Sequence, residues 1–539
     1  MPPPTGAPDS VRPADGPASL WRPLRTPTFR NLFLADVISD MGTFMQSVAS
    51  AWLMVSFGAG PMFVALTQTA STLPFFVLAL PAGSLGDIVD RRKLILYTEA
   101  WMVGVAILLL VATIGGFMSP WLLLGLTFAL SAGDAIETPT WRAVLPELVG
   151  KEDLAAASAL NGIEFNFARA VGPALAGLLI ATAGVGAAFA ANVLSFVGVV
   201  IVIARWKRPV HKRSTPPETV TGATVAAIRY VRYSPTLRRV MLRAGMTMFA
   251  ASALLALLPS VARSVSDSAT VYGVLLGSFG TGAVAGALTM QGARARWSLE
   301  AVASGAVVIL GAMIAATGAV HGLATLAIVM LIAGGGWIVF ISLVSALVQT
   351  LAPDWARARV LAVFMLIFQG GMAAGSALWG AVAERIGVEA ALVLAGAGTV
   401  ATIALGFIAR LPEATADVSP WNHWRMPAIM RDAMPALEQG PVLVTVEYSV
   451  DARNATPFLH AIRRYGRVRR RDGAFRWGIY RDLERADIYV ETFVVSSWAE
   501  HLRQHERLTK GDSQLEEEIN KYVRGEAIVR HLIYAEPER

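Results

Sequence analysis

Five carboxyl groups and one guanidinium stand where a membrane protein would put them only for a purpose. Asp36 and Asp40 lie four apart in NLFLADVISDM, Asp134 and Glu137 three apart in LSAGDAIETP, and Glu164 shares NGIEFNFARAVG with Asn166 and Arg169. The surrounding residues are apolar, and residues four apart share one face of a helix. A charge within a bilayer costs from about 2.5 kcal/mol upward, so its retention points to function. Acids facing a cavity take up and release protons when burial favours the neutral form. One such site can hold either a proton or a cationic substrate. Asp36 is the first candidate for the proton carrier, and Arg169 is the natural counter-ion of Glu164 or Asp36. Quieter readings stand beside these. Asp134 and Glu137 can be solvated near headgroups, Asp40 can be a structural hydrogen-bonding residue, and Glu164 with Arg169 can be a static pair.

The elements that must position these residues follow from composition. The 539 residues are 55% hydrophobic and only 16% charged, against about 25% charged in soluble domains. This excludes an ordinary soluble enzyme and a disordered chain. The absence of cysteine excludes disulfides, thiolate zinc sites, iron–sulfur clusters and cysteine nucleophiles. Of the charged residues, 33 fall within 440–539, so a soluble tail follows a membrane body. The net charge of +7 sits mostly on the body, which reads as topology and not as nucleic-acid binding. No signal-peptide pattern opens the chain, and residues 1–24 read as a disordered segment.

Apolar stretches of bridging length fall near 31–57, 61–86, 94–114, 119–141, 155–181, 187–205, 238–262, 270–291, 299–319, 322–350, 360–384 and 390–410. Alternate loops carry Arg91, Arg92 and Lys93; Arg142 and Lys151; Arg205 to Arg213; Arg294 and Arg296; Arg357 and Arg359. By the excess of Lys and Arg on the cytoplasmic side, both termini are expected in the cytoplasm. The second half repeats the first at an offset of 203 residues: Gly42, Gly83, Leu85, Arg91, Leu148, Gly172 and Gly177 fall on Gly245, Gly286, Leu288, Arg294, Leu351, Gly375 and Gly380. A six-span unit used twice places two bundles about an axis along the membrane normal, with a cavity between them. The expected divisions are 25–205 and 238–412 for the bundles, 206–237 and 413–440 for linkers, and 441–539 for the tail.

The loop after the second span reads Gly83-Ser84-Leu85-Gly86-Asp87-Ile88-Val89-Asp90-Arg91-Arg92-Lys93. It resembles the signature loop of the major facilitator superfamily, Gly-x-Leu-Ala-Asp-Arg-x-Gly-Arg-Arg, with departures at Ile88 and Asp90. Within that superfamily TPTFRNLFLADVISDMGTFMQSVASAWLM, LNGIEFNFARAVGPALAG and the soluble tail are similar to the bacterial branch of enterobactin exporters and transmembrane secretion effectors. The resemblance implies an all-α membrane protein with twelve transmembrane helices in two six-helix bundles. It also implies a cytoplasmic latch formed by Gly83, Asp87, Arg91 and Arg92 against span 11, near Val360. A carboxylate there can pair with arginine or cap a helix N-terminus.

Gln46, Trp52, Phe165, Trp337 and Gln369 are candidates to line a pocket for a flat, apolar substrate, together with Phe44, Trp141 and Trp379. Gln349 and Gln369 read as the polar points of the C-terminal spans, which show no acid comparable to those of the first half. Gly334-Gly335-Gly336 has no following Lys and lies in an apolar helix, so it reads as close packing and not as a phosphate loop. With no nucleotide motif, ATP is not expected to drive the protein. TVAAIRYVRYSPTL reads as an amphipathic helix with Arg229 and Arg232 toward lipid phosphates. The tail reads strand–helix–strand–strand–helix–strand, the ferredoxin-like α+β order. It resembles antibiotic-biosynthesis-monooxygenase-like domains, which implies self-association through the sheet and a regulatory or assembly role. His501 and His505 lack a third ligand, so no metal and no cofactor is expected.

The reading is a secondary-active transporter and not an enzyme: an exporter of small hydrophobic molecules or siderophores, exchanging them for protons across the inner membrane, with no nucleic-acid partner. The alternatives are an uptake permease, or a membrane-bound sensor or scaffold acting through the tail.

Overall fold

A computed structural model describes residues 20–150, 152–206, 220–408, 410–412, 417–421 and 436–534, with their side chains except those of 79–88, 220–224 and 408. The expected N-terminal segment up to residue 19, the central connection at 207–219 and most of the linker 413–440 lie outside these residues.

The first half forms α1 (Pro27–Ser56), α2 (Pro61–Ile88), α3 (Arg91–Ile114), α4 (Pro120–Leu148), α5 (Leu154–Ala183) and α6 (Val185–Arg205). After α7 (Val220–Tyr233) come α8 (Pro235–Ala251), α9 (Ala253–Val265), α10 (Ala269–Arg296), α11 (Leu299–Ala319), α12 (Leu323–Leu351), α13 (Arg357–Ile386) and α14 (Val388–Ala401). The short α15 (Leu405–Ile408) follows. Prolines open α1, α4 and α8, where the missing N–H is no loss. Ser119 and Ser298 cap α4 and α11 by accepting from the Leu122 and Ala301 amides. Asp90 caps α3 through the Lys93 amide at 3.1 Å, which gives the departure from glycine at that signature position a local purpose.

Ten helical stretches among the described residues are long and apolar enough to cross a membrane, and α8 and α9 count as one. The twelve expected spans include two more, α1 and α4. These are 30 and 29 residues long, but they carry four of the five acids and so fall short in apolarity, not in length.

The repeat is visible in the contacts. Gly184 and Gly387, 203 residues apart, both take positive φ, +82° and +88°, between the last two helices of each half, a conformation that favours glycine. Each amide bonds back at 2.9 Å, to the Ile180 and Ala383 carbonyls respectively. Gly172 on α5 meets Met41 and Phe44 of α1, while its counterpart Gly375 on α13 meets Phe249 and Ser252 at the α8–α9 junction. Gly177 on α5 lies against Ala269, Thr270 and Gly273 of α10, and its counterpart Gly380 on α13 lies against Met62 and Ala65 of α2. The α5–α10 and α2–α13 pairs therefore join the halves backbone to backbone. These joints sit at the helix ends away from the arginine-rich loops. The Met62 amide there donates to Glu384 at 3.2 Å.

In the tail, β1 (Val442–Ser449), β2 (Arg476–Arg481), β3 (Ile488–Val495) and β4 (Ile528–Ile533) form one antiparallel sheet in the order β2-β3-β1-β4. Thr445 pairs with Thr492 on one side and Arg530 on the other. Alternate residues of β1 are buried, and with Phe493 they meet Phe458, Ile462 and Tyr465 of α16 (Ala455–Asp472). The sequence reading gave one helix after β3. The structure has two, α17 (Trp498–Glu506) and α18 (Lys510–Asn520), because Thr509 and Asp512 form a capping box that starts a new helix.

The tail is fastened to the body. Arg229 of α7 donates to Glu500 of α17 at 2.8 Å and to the Arg471 carbonyl at 3.3 Å, so it meets a protein carboxylate and not, as expected from its amphipathic helix, a lipid phosphate. The Arg507 guanidinium lies 4.9 Å from the ring centre of Trp355 in the α12–α13 loop, and that of Arg471 5.3 Å from Tyr230. Tyr230 and Trp355 pack edge to face at 5.6 Å. Glu500 gathers Arg229, Arg503 and Arg507. Burial pushes its carboxyl up, but Arg507 and Arg229 outweigh it and hold the group below the ordinary 4.5.

Two predictions follow from these contacts. A β-carbon at Gly334 would overlap the Phe279 carbonyl of α10, whereas one at Gly305 meets nothing within 4 Å. Gly334→Ala is expected to cost about 1–3 kcal/mol and lower the thermal midpoint of the purified protein, with Gly305→Ala unchanged. Glu500 has a depressed folded pKa, so its contribution to docking is complete above pH 4.5 and is lost as pH falls below that value. Hydrogen exchange of residues 225–233 should accelerate on acidification below that point. In Glu500→Gln it should already be faster at neutral pH, by about tenfold or more, the equivalent of one charge-assisted hydrogen bond.

Candidate transport site

The acids of the first half converge. Asp36 accepts from Trp141 Nε1 at 2.9 Å, tying α1 to α4. Beside them a cavity of about 10 Å³ is bounded by Phe29, Leu32, Val144 and Asn161, room for about one water. Asp134 accepts from Thr138 of its own helix at 3.0 Å. Glu137 is buried and accepts from Thr98 of α3 at 2.7 Å. The carboxyls of Asp40 and Glu164 meet side chain to side chain. Arg169 places its guanidinium 4.7 Å from the ring centre of Phe165, and its electrostatic partner is Asp40, where the sequence had suggested Glu164 or Asp36.

A sixth acid belongs to this group. Glu99 on α3 is 2% exposed, and its carboxyl lies against that of Glu137. The rule that singled out the other five, an acid inside an apolar span, applied equally to LILYTEAWMVG and would have found it. The second half also holds a buried charge. Arg243 of α8 is 1% exposed and donates to both oxygens of Glu300 on α11, at 2.6 and 2.8 Å. Glu300 also accepts from the Leu411 amide at 3.0 Å. The sequence reading found no comparable acid in these spans because Glu300 stands at a helix start. Arg243 is the repeat counterpart of Asp40, so equivalent positions carry opposite charges.

Of the proposed latch residues, Gly83 lies in α2 and the Asp87 side chain falls outside the described residues. Arg91 donates to Glu147 and to the Ala143 carbonyl of α4, both at 2.7 Å. Arg92 donates to the Ile203 and Ala204 carbonyls at the C-terminal end of α6, where a cation is favoured. The pocket candidates lie on α1, α5, α12 and α13. Gln46 is buried and accepts from Asn192 of α6. Trp52 is buried, with Arg263 5.9 Å from its ring centre. Trp337 packs edge to face on Phe279 at 5.9 Å. Trp379 donates to the Phe249 carbonyl at 3.2 Å. Phe165 is exposed and pairs with Phe44 at 5.7 Å, and Gln369 on α13 is half-buried.

In the tail, His531 of β4 joins His501 and His505, with ring centres 4.8 Å (His501–His531) and 4.7 Å (His501–His505) apart. Among the described residues no group of three or more His, Asp or Glu is arranged to hold a metal ion.

The profile of the transmembrane secretion effector family matches residues 18–538. The chain belongs to that family. This transmembrane secretion effector is similar to the multidrug efflux pump Tap of Mycolicibacterium fortuitum, 25% identical over 67% of this chain and 90% of the pump. It is also similar to the enterobactin exporter EntS of Salmonella choleraesuis (strain SC-B67), 28% identical over 49% of this chain and 63% of the exporter. Among solved structures it superposes on an inward-facing, unoccupied bacterial homologue of the human lysosomal transporter Spinster, with a TM-score of 0.56 over 72% of this chain and 96% of that one at 14% identity. A point mutant of the nucleoside transporter NupG superposes at 0.59 over 71% of this chain and 100% of that one, at 11% identity. These likenesses show the major facilitator fold. The effector is thus a multi-pass membrane transporter of small molecules, and its family and relatives are transporters, not enzymes.

The hydrogen bond from Thr98 to Glu137 is open to a direct test. Thr98→Val keeps the shape and leaves a buried carboxyl without its donor. It is expected to cost about 1–3 kcal/mol, read as a lowered thermal midpoint. Thr113→Val, which removes only a bond to the Leu109 carbonyl of its own helix, should change the midpoint little.

Proposed function

We propose that this secretion effector is a proton-coupled exporter of small, largely apolar molecules of the drug or siderophore kind. It exposes its site alternately to the two sides of the inner membrane by rocking two six-helix bundles. The observation that carries the reading is the six-carboxyl group spread over α1, α3, α4 and α5, with few cations set against it. Structural ion pairs balance their charges. Here, among the described residues, six acids face Arg169 beside Asp40 and Arg142 beside Asp134. Two pairs of carboxyls, Asp40 with Glu164 and Glu99 with Glu137, lie in contact. A proton between two carboxyls turns repulsion into a hydrogen bond. Such a group changes its charge by moving protons, and export against them is what that supports. The names of the relatives, a multidrug efflux pump and an enterobactin exporter, point the same way.

In this reading α1 and α4 cross the bilayer with the ten apolar stretches, giving twelve spans, and both termini are cytoplasmic. Gly83, Asp87, Arg91 and Arg92 latch that side. The bonds of Arg91 and Arg92 to α4 and α6 hold the start of α3 to its own bundle. The tail is a ferredoxin-like domain by its strand order, and the sheet edge at β2 or β4 offers a route to self-association.

The test is substrate-dependent proton flux in reconstituted vesicles. Asp36→Asn, a permanent mimic of the protonated acid, should abolish proton flux and flatten the pH dependence of transport, while binding of a neutral substrate persists. Flux equal to the unmodified protein at matched protein levels would remove Asp36 as carrier.

A further inference from the structure

The tail contains a cavity that transport does not account for. It measures about 600 Å³, within the range of small-molecule sites, and lies between the sheet and helices α16, α17 and α18. Its floor is apolar, from Val444, Val446 and Phe493, and its mouth is framed by Val529 and Glu526. A domain whose only task was docking would have filled this volume with side chains, since interiors pack closely.

The polar groups in it are placed with care. Arg469 reaches in from α16, its guanidinium clamped 4.7 Å from the ring centre of Tyr465 and 4.5 Å from that of Phe493. Its Nε stands 3.5 Å from a carboxylate oxygen of the fully buried Glu491. That Nε is enclosed and makes no hydrogen bond among the described residues. Glu491 is meanwhile satisfied by Trp477 at 2.7 Å and Tyr448 at 3.1 Å. Glu516, which with Glu526 supplies the acids of the lining, accepts from the Tyr465 hydroxyl at 3.4 Å. Opposite Arg469 stand His501, His505 and His531. Burial and their neighbours push His501 down to about 3 and His505 down to about 2. At neutral pH they are uncharged rings; the Nε2 atoms of His501 and His505 stand 3.3 Å apart, one donating to the other, so the group presents mainly flat faces to the cavity.

One wall of this cavity is also the docking helix. His501 and His505 face in from α17, and Leu508 follows. The same segment sends Glu500 to Arg229 of α7 and Arg507 to Trp355 before α13. A ligand that moves α17 moves groups bonded to the transporter body.

We propose that this cavity is a binding site for a flat, largely apolar molecule bearing an anionic oxygen for Arg469, and that its occupancy is transmitted through α17 to α7 and the α12–α13 loop. The aromatic walls and the neutral imidazole faces select a planar body, and the guanidinium fixes its acidic end. The site lies outside the membrane spans and is separate from the acid group of the first bundle. The tail is thereby a sensor of a soluble small molecule that adjusts the transporter.

The experiment uses the full chain in lipid nanodiscs with 3-hydroxy-2-naphthoate as probe, measured by equilibrium dialysis against empty nanodiscs. One saturable site per chain is expected. Arg469→Gln should weaken it at least about tenfold, and so should 2-naphthol in place of the acid, each removing one charge-assisted contact. Arg469→Gln also leaves Glu491 without its cation and can misfold. Val529→Trp therefore serves as the second variant: Val529 is 51% exposed at the mouth, so the larger ring obstructs entry without crowding the core. Saturable binding lost in Val529→Trp, with hydrogen exchange of β1 unchanged, supports the site. No saturable binding by the unmodified chain, or binding unaltered in both variants, overturns it. Hydrogen exchange of residues 225–233 and 352–358 reads the transmission: slower exchange with probe is expected, and unchanged exchange at full occupancy overturns that half of the proposal.

Discussion

Water is absent from the middle of a bilayer, and everything in this molecule answers to that absence. Backbone groups must bond within the helix that carries them, which is why the body is helical from Pro27 onward and why its connections are brief. A charged side chain must find partners inside the protein or lose its charge. The effector meets this demand in two ways. Arg243 and Glu300 neutralise each other directly, with Ser304 and the Leu411 amide completing the shell. The acids of the first bundle are instead held largely by neutral donors, Trp141, Thr98 and Thr138, and by one another, with Arg169 beside Asp40 and Arg142 beside Asp134. The first arrangement is fixed. The second is poised, because hydrogen bonds from hydroxyl and indole groups tolerate a carboxyl in either protonation state.

The duplication frames this contrast. The halves agree in their glycines and in the turn before the last helix, and Gly172 and Gly375 each pack on the opening helical segment of their own half. They differ in their ionisable residues. Asp40 and Arg243 occupy equivalent positions with opposite sign, and Glu164 corresponds to Ile367. The two copies thus share packing while their buried charges differ: a closed ion pair in the second half, a group of acids in the first.

Much of this was legible in the sequence, for identifiable reasons. Span positions follow from apolar length, which a bilayer enforces strictly, and the repeat follows from glycines that no larger residue can replace. The tail's strands follow from period-two alternation. Pairings were less legible, because helix faces are set by tertiary contacts that one sequence does not display. Arg169 went to Phe165 and Asp40, and Arg229 went to Glu500 and not to lipid. Glu99 is legible by the same rule as the other acids, a carboxyl inside an apolar span. The start of α18 was readable from Thr509 and Asp512. The tail cavity was not readable at all: a void is defined by residues from β1, β3, β4, α16 and α17 together, and no local pattern announces it.

The backbone-to-backbone joints have an evolutionary consequence. At most packed positions a bulky change on one helix can be rescued by a smaller residue opposite. Gly177 faces Gly273, and no residue is smaller than glycine, so that escape is closed. At the α5–α10 seam a larger residue on either side would have to part the helices, whereas at Gly380 the opposing Ala65 still has a methyl group to give up. The two seams thus differ in tolerance: one admits no exchange of bulk between its helices, and the other admits a little.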